Sequence, residues 1–196
     1  MSSEPSRSSA DPVGVALAAA AAGAWAAIAA TASANPVVLI DGRSGAGKSS
    51  LARLLVAQWP PRHAQLVALD ALYPGWDGMD AGVDIVRDGI LIPRAGGRAG
   101  TWRRWDWDAG EPADAHAVDF SRPLVIEGAG LLRPDTAPLG RVRVWLDSPE
   151  RSRRHRALER DGEAYRPHWQ RWAQQEQHHL DRDDPLHLAD LVFPVP

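Results

Sequence analysis

The chain has 196 residues, a length that suits one domain with a substantial buried core. Its formal net charge is −3 and its pI is about 6.1, so no overall basic field indicates nucleic-acid binding. The absence of cysteine excludes disulfides and thiolate metal sites. The seven histidines, which we interpret as surface residues, show no spacing typical of a metal site.

The N-terminal third of the chain begins with two contrasting segments. Residues 1–11 are small and polar and are predicted to be a disordered tail. Residues 12–34 are uncharged and alanine-rich, and their length would permit a membrane span or a secretory signal. Because alanine is only weakly apolar, we predict instead a helix packed on a single cytoplasmic domain, residues 12–196, with no membrane contact. The sequence leaves open whether this helix makes a contact in a homodimer.

Short apolar runs then alternate with helical material, which predicts an α/β fold with a parallel sheet covered on both faces. The runs are "PVVLID" (36–41), "QLVALD" (65–70), "PLVIEG" (123–128), "RVRVWLD" (141–147) and "LADLVF" (188–193). In such sheets ligands bind at the carboxyl ends of the strands. The polar residues at those ends are therefore the candidates for a functional site.

The stretch "DGRSGAGKSS" follows the first predicted strand and contains the only lysine of the chain, Lys48. It matches the pattern G-x-x-x-x-G-K-[ST] of a phosphate-binding loop, and leucines at helical spacing follow it as that motif requires. Backbone amides and the start of a helix would hold phosphate oxygens here. The predicted nucleotide-binding residues are Gly42, Arg43, Ser44, Gly45, Ala46, Gly47, Lys48, Ser49 and Ser50.

Three acidic residues end predicted strands near this loop: Asp41, Asp70 and Glu127. Phosphoryl transfer needs a metal ion and a group that orients or deprotonates the acceptor hydroxyl. Asp70 is the candidate base, and Ser49 with Glu127 is the candidate Mg²⁺ site. Helix capping by Asp70 and a simple ion pair at Glu127 are the alternatives, and Asp41 is as well suited to capping a turn as to a direct role.

The arginine-rich segment 148–167 has two interpretations. Interspersed acidic residues are typical of a solvated helix face. The functional alternative is a mobile lid whose arginines close over the phosphates and exclude water. The sequence disfavours a GTPase, because no Asn-Lys-x-Asp element and no D-x-x-G follow the loop.

The segment "GTWRRWDWDAG" (100–110) interleaves tryptophans with charged residues. Stacking on single-stranded nucleic acid is disfavoured by the acidic neighbours. The sequence leaves two interpretations. The tryptophans could pack in the core, or they could form an aromatic acceptor pocket to which Tyr73, Trp76 and Asp77 could contribute.

Taken together, these stretches resemble the uridine kinase-like branch of P-loop nucleoside kinases. "DGRSGAGKSS" looks like the phosphate loop of that family, "LDALYPG" resembles its element with the catalytic aspartate, "RRWDWDAG" its tyrosine-aspartate-phenylalanine element, and "VIEG" its glutamate-glycine strand end. The resemblance covers about residues 36–193, although tryptophan stands where the family has the tyrosine that faces the base. It implies a P-loop kinase fold with a five-stranded parallel sheet in the order 2-3-1-4-5, an arginine lid, ATP and Mg²⁺.

The sequence therefore predicts an ATP-dependent kinase of a small-molecule hydroxyl acceptor, with a nucleoside such as uridine favoured. A kinase of a sugar acid, shikimate or pantothenate, and a regulatory module that binds ATP without catalysis, are the alternatives. The predicted catalytic residues are Lys48, Asp70, Arg156 and Arg160, and the predicted substrate-binding residues are Tyr73, Asp77, Trp105, Asp106 and Arg153.

Overall fold

The computed structural model describes residues 11–196. Most of the predicted tail lies outside these residues, but Asp11 begins the first helix, because its carboxylate accepts hydrogen bonds from the backbone N–H groups of Val13 and Gly14, both at 3.1 Å. The helices are α1 (Pro12–Ala30), α2 (Lys48–Val56), α3 (Met79–Val86), α4 (Ile92–Ala95), α5 (Glu150–Tyr165), α6 (Trp169–Asp183) and α7 (Pro185–Leu188). The strands are β1 (Val37–Gly42), β2 (Gln65–Ala68), β3 (Gly100–Asp106), β4 (Glu111–Val118), β5 (Leu124–Glu127), β6 (Val142–Asp147) and β7 (Leu191–Pro194).

Five strands form the predicted parallel sheet, in the order β2-β5-β1-β6-β7. Counted along the chain without β3 and β4, this order is 2-3-1-4-5. The strand β1 is central and buried along its whole length. Val37 and Leu39 belong to the core beneath α3 and α6, whereas Val38 and Ile40 belong to the core beneath α1 and α2. The alternation explains why the sequence of β1 is continuously apolar.

The strands β3 and β4 form a separate antiparallel hairpin that the sequence did not predict. Trp102 stacks on His116 across the two strands, with ring centroids 4.5 Å apart. The rest of the hairpin is mostly exposed, so its residues lack the apolar run of a sheet strand. It nevertheless carries Trp107 at its turn, close to the carboxyl ends of the parallel strands.

Helix α1 is shorter than the predicted 12–34 and ends at Ala30. By length and composition alone this helix could span a membrane. One of its faces, however, packs in the domain core through Leu17, Ala24 and Ile28. Trp25 also makes an edge-to-face contact with Trp59, with ring centroids 4.7 Å apart. The helix therefore packs on the domain, and its apolar composition does not indicate a membrane protein.

Candidate active site

The phosphate-binding loop connects the end of β1 to the start of α2. Gly47 precedes α2 in a left-handed conformation with φ of 102°. Gly45 has φ of 79°, and a Cβ atom there would lie 2.1 Å from the carbonyl oxygen of Arg153. Both positions therefore require glycine, one for its backbone conformation and the other also because α5 packs directly against the loop. The loop curls over the N-terminus of α2, where backbone N–H groups favour an anion.

The side chains of Lys48 and Ser49, the last two residues of the motif, both form hydrogen bonds. The Lys48 ammonium donates a hydrogen bond to the carbonyl oxygen of Arg43 at 3.2 Å. The Ser49 hydroxyl donates to Glu127 Oε1 at 2.8 Å. The predicted lysine, serine and glutamate thus come together although Glu127 lies 78 positions from Ser49. They line a cavity of about 90 Å³ with the loop glycines and Asp70.

Glu127 is 3% exposed at the end of β5. Burial raises the pKa of its carboxyl group, and the charge of Asp70 adds to that shift, while Lys48 and the Ser49 hydrogen bond oppose it. A carboxylate beside a serine hydroxyl at the end of a phosphate loop is a donor set that suits Mg²⁺, which often takes one or two carboxylates together with substrate phosphates. Within residues 11–196 no group of three or more His, Cys, Asp and Glu side chains could hold a metal ion by itself.

Asp70 stands on a single helical turn, Leu69–Ala71, directly after β2. Its side chain is exposed and lines both the phosphate cavity and a larger neighbouring pocket. Its carbonyl oxygen accepts a hydrogen bond from Trp107 Nε1 at 3.0 Å, so the hairpin turn contacts the backbone that carries Asp70. Asp70 therefore lies where the two chambers meet.

The larger chamber, which we call the aromatic pocket, has a volume of about 370 Å³. It lies beside the phosphate cavity, and the two share several lining residues. Trp76 stacks on His168 at 4.2 Å and contacts Trp107 at 4.8 Å between ring centroids. The lining residues are Ser44, Ser49, Arg53, Asp70, Tyr73, Trp76, Trp107, Arg160, Asp161, Ala164, Tyr165 and Trp172. Its aromatic walls suit a planar or apolar group of a ligand.

Two of the predicted substrate-binding or lid residues line this pocket. Tyr73 is 1% exposed and donates a hydrogen bond to the carbonyl oxygen of Ala129 at 2.8 Å. Arg160 lines both chambers and pairs with Asp161 at 2.6 Å.

The structure places three other predicted substrate-binding residues away from the pocket. Asp77 pairs with Arg171 on the surface. Asp106 accepts hydrogen bonds from the backbone N–H groups of Asp108 and Ala109 at 3.1 and 3.0 Å, and so stabilises the hairpin turn. Trp105 does not line the pocket, whereas Trp107, two positions later, does. A bulge in β3 between Arg103 and Trp105 shifts the register, which the sequence alone does not reveal.

Arg153 and Arg156 support the phosphate loop from behind. Arg153 is 2% exposed and donates to the carbonyl oxygens of Ser148 and Ser44 at 2.9 and 3.2 Å. Arg156 donates to the carbonyl oxygen of Gly45 at 2.8 Å and to the Ser148 hydroxyl at 2.5 Å. Neither lines the aromatic pocket or the phosphate cavity. Arg153 was predicted to bind substrate and Arg156 to be catalytic, but both form hydrogen bonds inside the fold instead.

Sequence reasoning missed three buried polar residues of α6, which are Glu176, His179 and Asp183. Glu176 accepts a hydrogen bond from the backbone N–H of Ser44 at 2.5 Å and pairs with Arg43 at 3.1 Å. His179 lies between Asp41 and Asp183 and is 2% exposed, so the prediction that all histidines lie at the surface is wrong for this one. A signal existed, because Trp169, Trp172, Glu176, His179 and Asp183 recur at helical spacing on one face.

Comparison with solved structures identifies proteins that share the fold of this chain. No family model matches the chain, and no curated protein matches it. A solved structure of a possible uridine kinase from Bacillus stearothermophilus aligns with a TM-score of 0.62 and 19% identity, covering 86% of this chain and 95% of that one. A candidate fructose transport system kinase from Silicibacter sp. TM1040 aligns with a TM-score of 0.53 and 19% identity, covering 91% of this chain and 98% of that one. The chain therefore has the fold of these kinase-named structures.

Proposed function

We propose that the protein is a cytoplasmic, ATP-dependent kinase that phosphorylates a hydroxyl group of a small molecule. The observation that carries the proposal is the connection between the two chambers. The phosphate cavity and the aromatic pocket share Ser44, Ser49, Arg53, Asp70, Arg160 and Trp172. A phosphate donor in one chamber and an acceptor in the other would meet at Asp70.

In this proposal the chain holds the donor through the loop amides and Lys48. Asp70 accepts the proton of the acceptor hydroxyl as its oxygen attacks the γ-phosphorus and ADP departs. Arg160, which lines both chambers, would stabilise the transferring phosphoryl group with its positive charge. Bound Mg²⁺, held by Ser49 and Glu127, would neutralise charge on the phosphates.

For the acceptor we favour a nucleoside such as uridine. The support is the aromatic lining of Trp76, Trp107 and Trp172, since such side chains stack on a planar ring. The resemblance to uridine kinase-like sequences and the similarity in fold to a possible uridine kinase are consistent with this choice. If the acceptor were a different small metabolite, the proposed roles of Lys48 and Asp70 would be unchanged.

The test is ATP consumption with Mg²⁺ across a panel of nucleosides, sugars and small hydroxy acids. We expect one acceptor to stimulate turnover, and Asp70→Asn and Lys48→Ala each to reduce it by about 100-fold or more. Asp114→Asn is the matched control, because this aspartate is 78% exposed on the hairpin and lies outside both chambers. If ATP bound but no acceptor raised turnover above a background that survives Asp70→Asn, the regulatory ATP-binding module would replace the kinase.

A further inference from the structure

The chain has only two tyrosines, and both of them line the aromatic pocket. Their hydroxyl groups differ in one respect. The Tyr73 hydroxyl donates to the carbonyl oxygen of Ala129 at 2.8 Å. Within residues 11–196 the Tyr165 hydroxyl has no hydrogen-bond partner, although this residue is only 4% exposed. A buried polar group without a partner costs stability, so its presence calls for an explanation.

The packing of the Tyr165 ring does not supply that explanation. The ring lies parallel to Trp76 at 5.5 Å and meets Trp169 edge-on at 5.7 Å between centroids. A phenylalanine would make these same contacts, because they involve only the ring. The side chain of Ser44 is a near neighbour that influences the titration of Tyr165, but it forms no hydrogen bond of acceptable geometry with the hydroxyl.

The position of Tyr165 depends on a break in helix α5. Gly162 lies inside this helix with φ of 59° and ψ of −137°, which is not a helical conformation. Nothing lies within 4 Å of a Cβ built there, so the backbone conformation alone requires the glycine. After this kink the chain brings Ala164 and Tyr165 to the wall of the aromatic pocket.

The surroundings of the hydroxyl decide which role it can take. Burial raises the pKa of Tyr165 above its ordinary value, the Ser44 contact opposes that shift, and the charges of Glu176 and Asp70 reinforce it. The phenol therefore stays protonated at neutral pH and can donate a hydrogen bond, but it cannot act as a base. It lines the aromatic pocket and is not part of the phosphate cavity.

We infer that the Tyr165 hydroxyl binds the acceptor, by donating a hydrogen bond to an uncharged oxygen or nitrogen atom of it. The inference rests on the proposed function and adds to it a specificity-determining residue. The inference requires an acceptor with a second polar atom, separate from the hydroxyl group that Asp70 would deprotonate. A purely apolar ring would leave the buried phenol without a partner.

The experiment compares Tyr165→Phe with Tyr73→Phe in the full-length protein. For the acceptor that wild type phosphorylates, Tyr165→Phe should raise KM roughly 3- to 10-fold, the effect of one uncharged hydrogen bond, while kcat and the KM for ATP stay within about twofold. In thermal unfolding without ligands, Tyr165→Phe should leave Tm unchanged or raise it. Tyr73→Phe should lower Tm, because it leaves the Ala129 carbonyl without its donor.

Two results would overturn this inference while the kinase stands. One is an unchanged acceptor KM in Tyr165→Phe, or a rise in the KM for ATP instead. The other is a fall in Tm as large as that of Tyr73→Phe, which would mean that the hydroxyl has a partner within the protein. Absence of transfer by wild type to any acceptor would overturn the proposed function itself and this inference with it.

Discussion

At the scale of single residues, His179 is a titratable group enclosed at the end of β1. Its Nε2 lies 3.1 Å from Asp41 and its Nδ1 lies 2.8 Å from Asp183, and Arg182 pairs with the same Asp183 at 2.6 Å. Burial by itself lowers the pKa of His179, but the hydrogen bonds and charges of the two carboxylates outweigh it, so the pKa lies above its ordinary value. The raised pKa favours the cationic form of the imidazole.

The stability that this cation contributes should depend on pH. Because the folded pKa is raised, the contribution is full below the ordinary value of 6.5 and is lost as the pH rises through the raised pKa. At about pH 6, His179→Gln should lower the free energy of unfolding by about 3–5 kcal/mol, since it leaves the buried Asp41 carboxylate without its cation and removes one of the two cations beside Asp183. The difference from wild type should shrink as the pH rises, which urea unfolding from about pH 6 to 9.5 would measure.

His155→Gln is the control for this prediction, because His155 is 78% exposed and its only ion pair, within residues 11–196, is a 3.8 Å contact to Glu159. It should change stability by less than about 0.5 kcal/mol at any pH. A loss in His179→Gln that stays constant with pH would show that the imidazole is not charged in the folded protein.

The sequence indicated the placement of side chains with a fixed place in a motif, but it did not indicate contacts in which tertiary packing determines the partner. Lys48, Ser49 and the loop glycines follow from spacing, and the meeting of Ser49 with Glu127 follows from the parallel sheet. The partners of Asp77 and Arg153 depend on where α6 and the phosphate loop lie, which no local pattern specifies. Glu176 was missed for the same reason.

At the scale of elements, α5 is the segment whose shape bears most directly on the proposed function. Its first part packs on the phosphate loop through the backbone of Arg153, and its last residues, beyond Gly162, line the aromatic pocket. The sequence indicated either a solvated face or a lid for this segment. The structure shows a helix with one buried arginine, Arg153, several more exposed arginines and a kink at Gly162 beyond them. The closing motion remains a proposal.

Gly162→Ala tests whether the kink positions the pocket wall. An alanine at this φ and ψ should cost about 1–3 kcal/mol of stability or straighten the helix. Straightening should displace Tyr165 and raise the acceptor KM at least severalfold. Thermal unfolding and steady-state kinetics measure the two effects.

Gly97→Ala is the matched control, because Gly97 also has a positive φ, 69°, with nothing within 4 Å of a Cβ built there. It lies between α4 and β3 and lines neither chamber. A similar loss of stability with an unchanged acceptor KM is expected for it. Equal kinetic effects of the two substitutions would argue against a specific role of the α5 kink.

At the scale of the whole molecule, the strands of the parallel sheet were accessible from the sequence, and their order was implied by the family resemblance. The hairpin and the docking of α1 were less accessible. Strands buried on both faces produce continuous apolar runs, which a sequence displays directly. The hairpin strands are mostly exposed and lack such a run, and the weak amphipathicity of an alanine-rich helix leaves its buried face ambiguous. The structure shows which face is buried, because Leu17 and Ile28 lie in the core.

Helix α1 also reaches the candidate active site, because Leu17 packs against the phosphate loop. A Cβ atom at Gly47 would lie only 3.1 Å from Leu17 Cδ2. Leu17 is 6% exposed, whereas Val15, two positions earlier, is 57% exposed. We expect Leu17→Ala to lower the free energy of unfolding by about 2–5 kcal/mol, as the loss of a buried leucine side chain does. Val15→Ala should change it by less than about 0.5 kcal/mol.

Urea unfolding of both variants in detergent-free buffer measures this difference, and it separates a docked helix from a membrane-spanning one. A helix that spanned a bilayer would contribute nothing to the folded domain in water, so the two truncations would then have equal and small effects. A large loss confined to Leu17→Ala would instead show that α1 is part of the domain and supports the loop that the proposed phosphoryl transfer requires. Because α1 packs on the same core as α2 and β7, its detachment should then weaken the nucleotide site and the fold together.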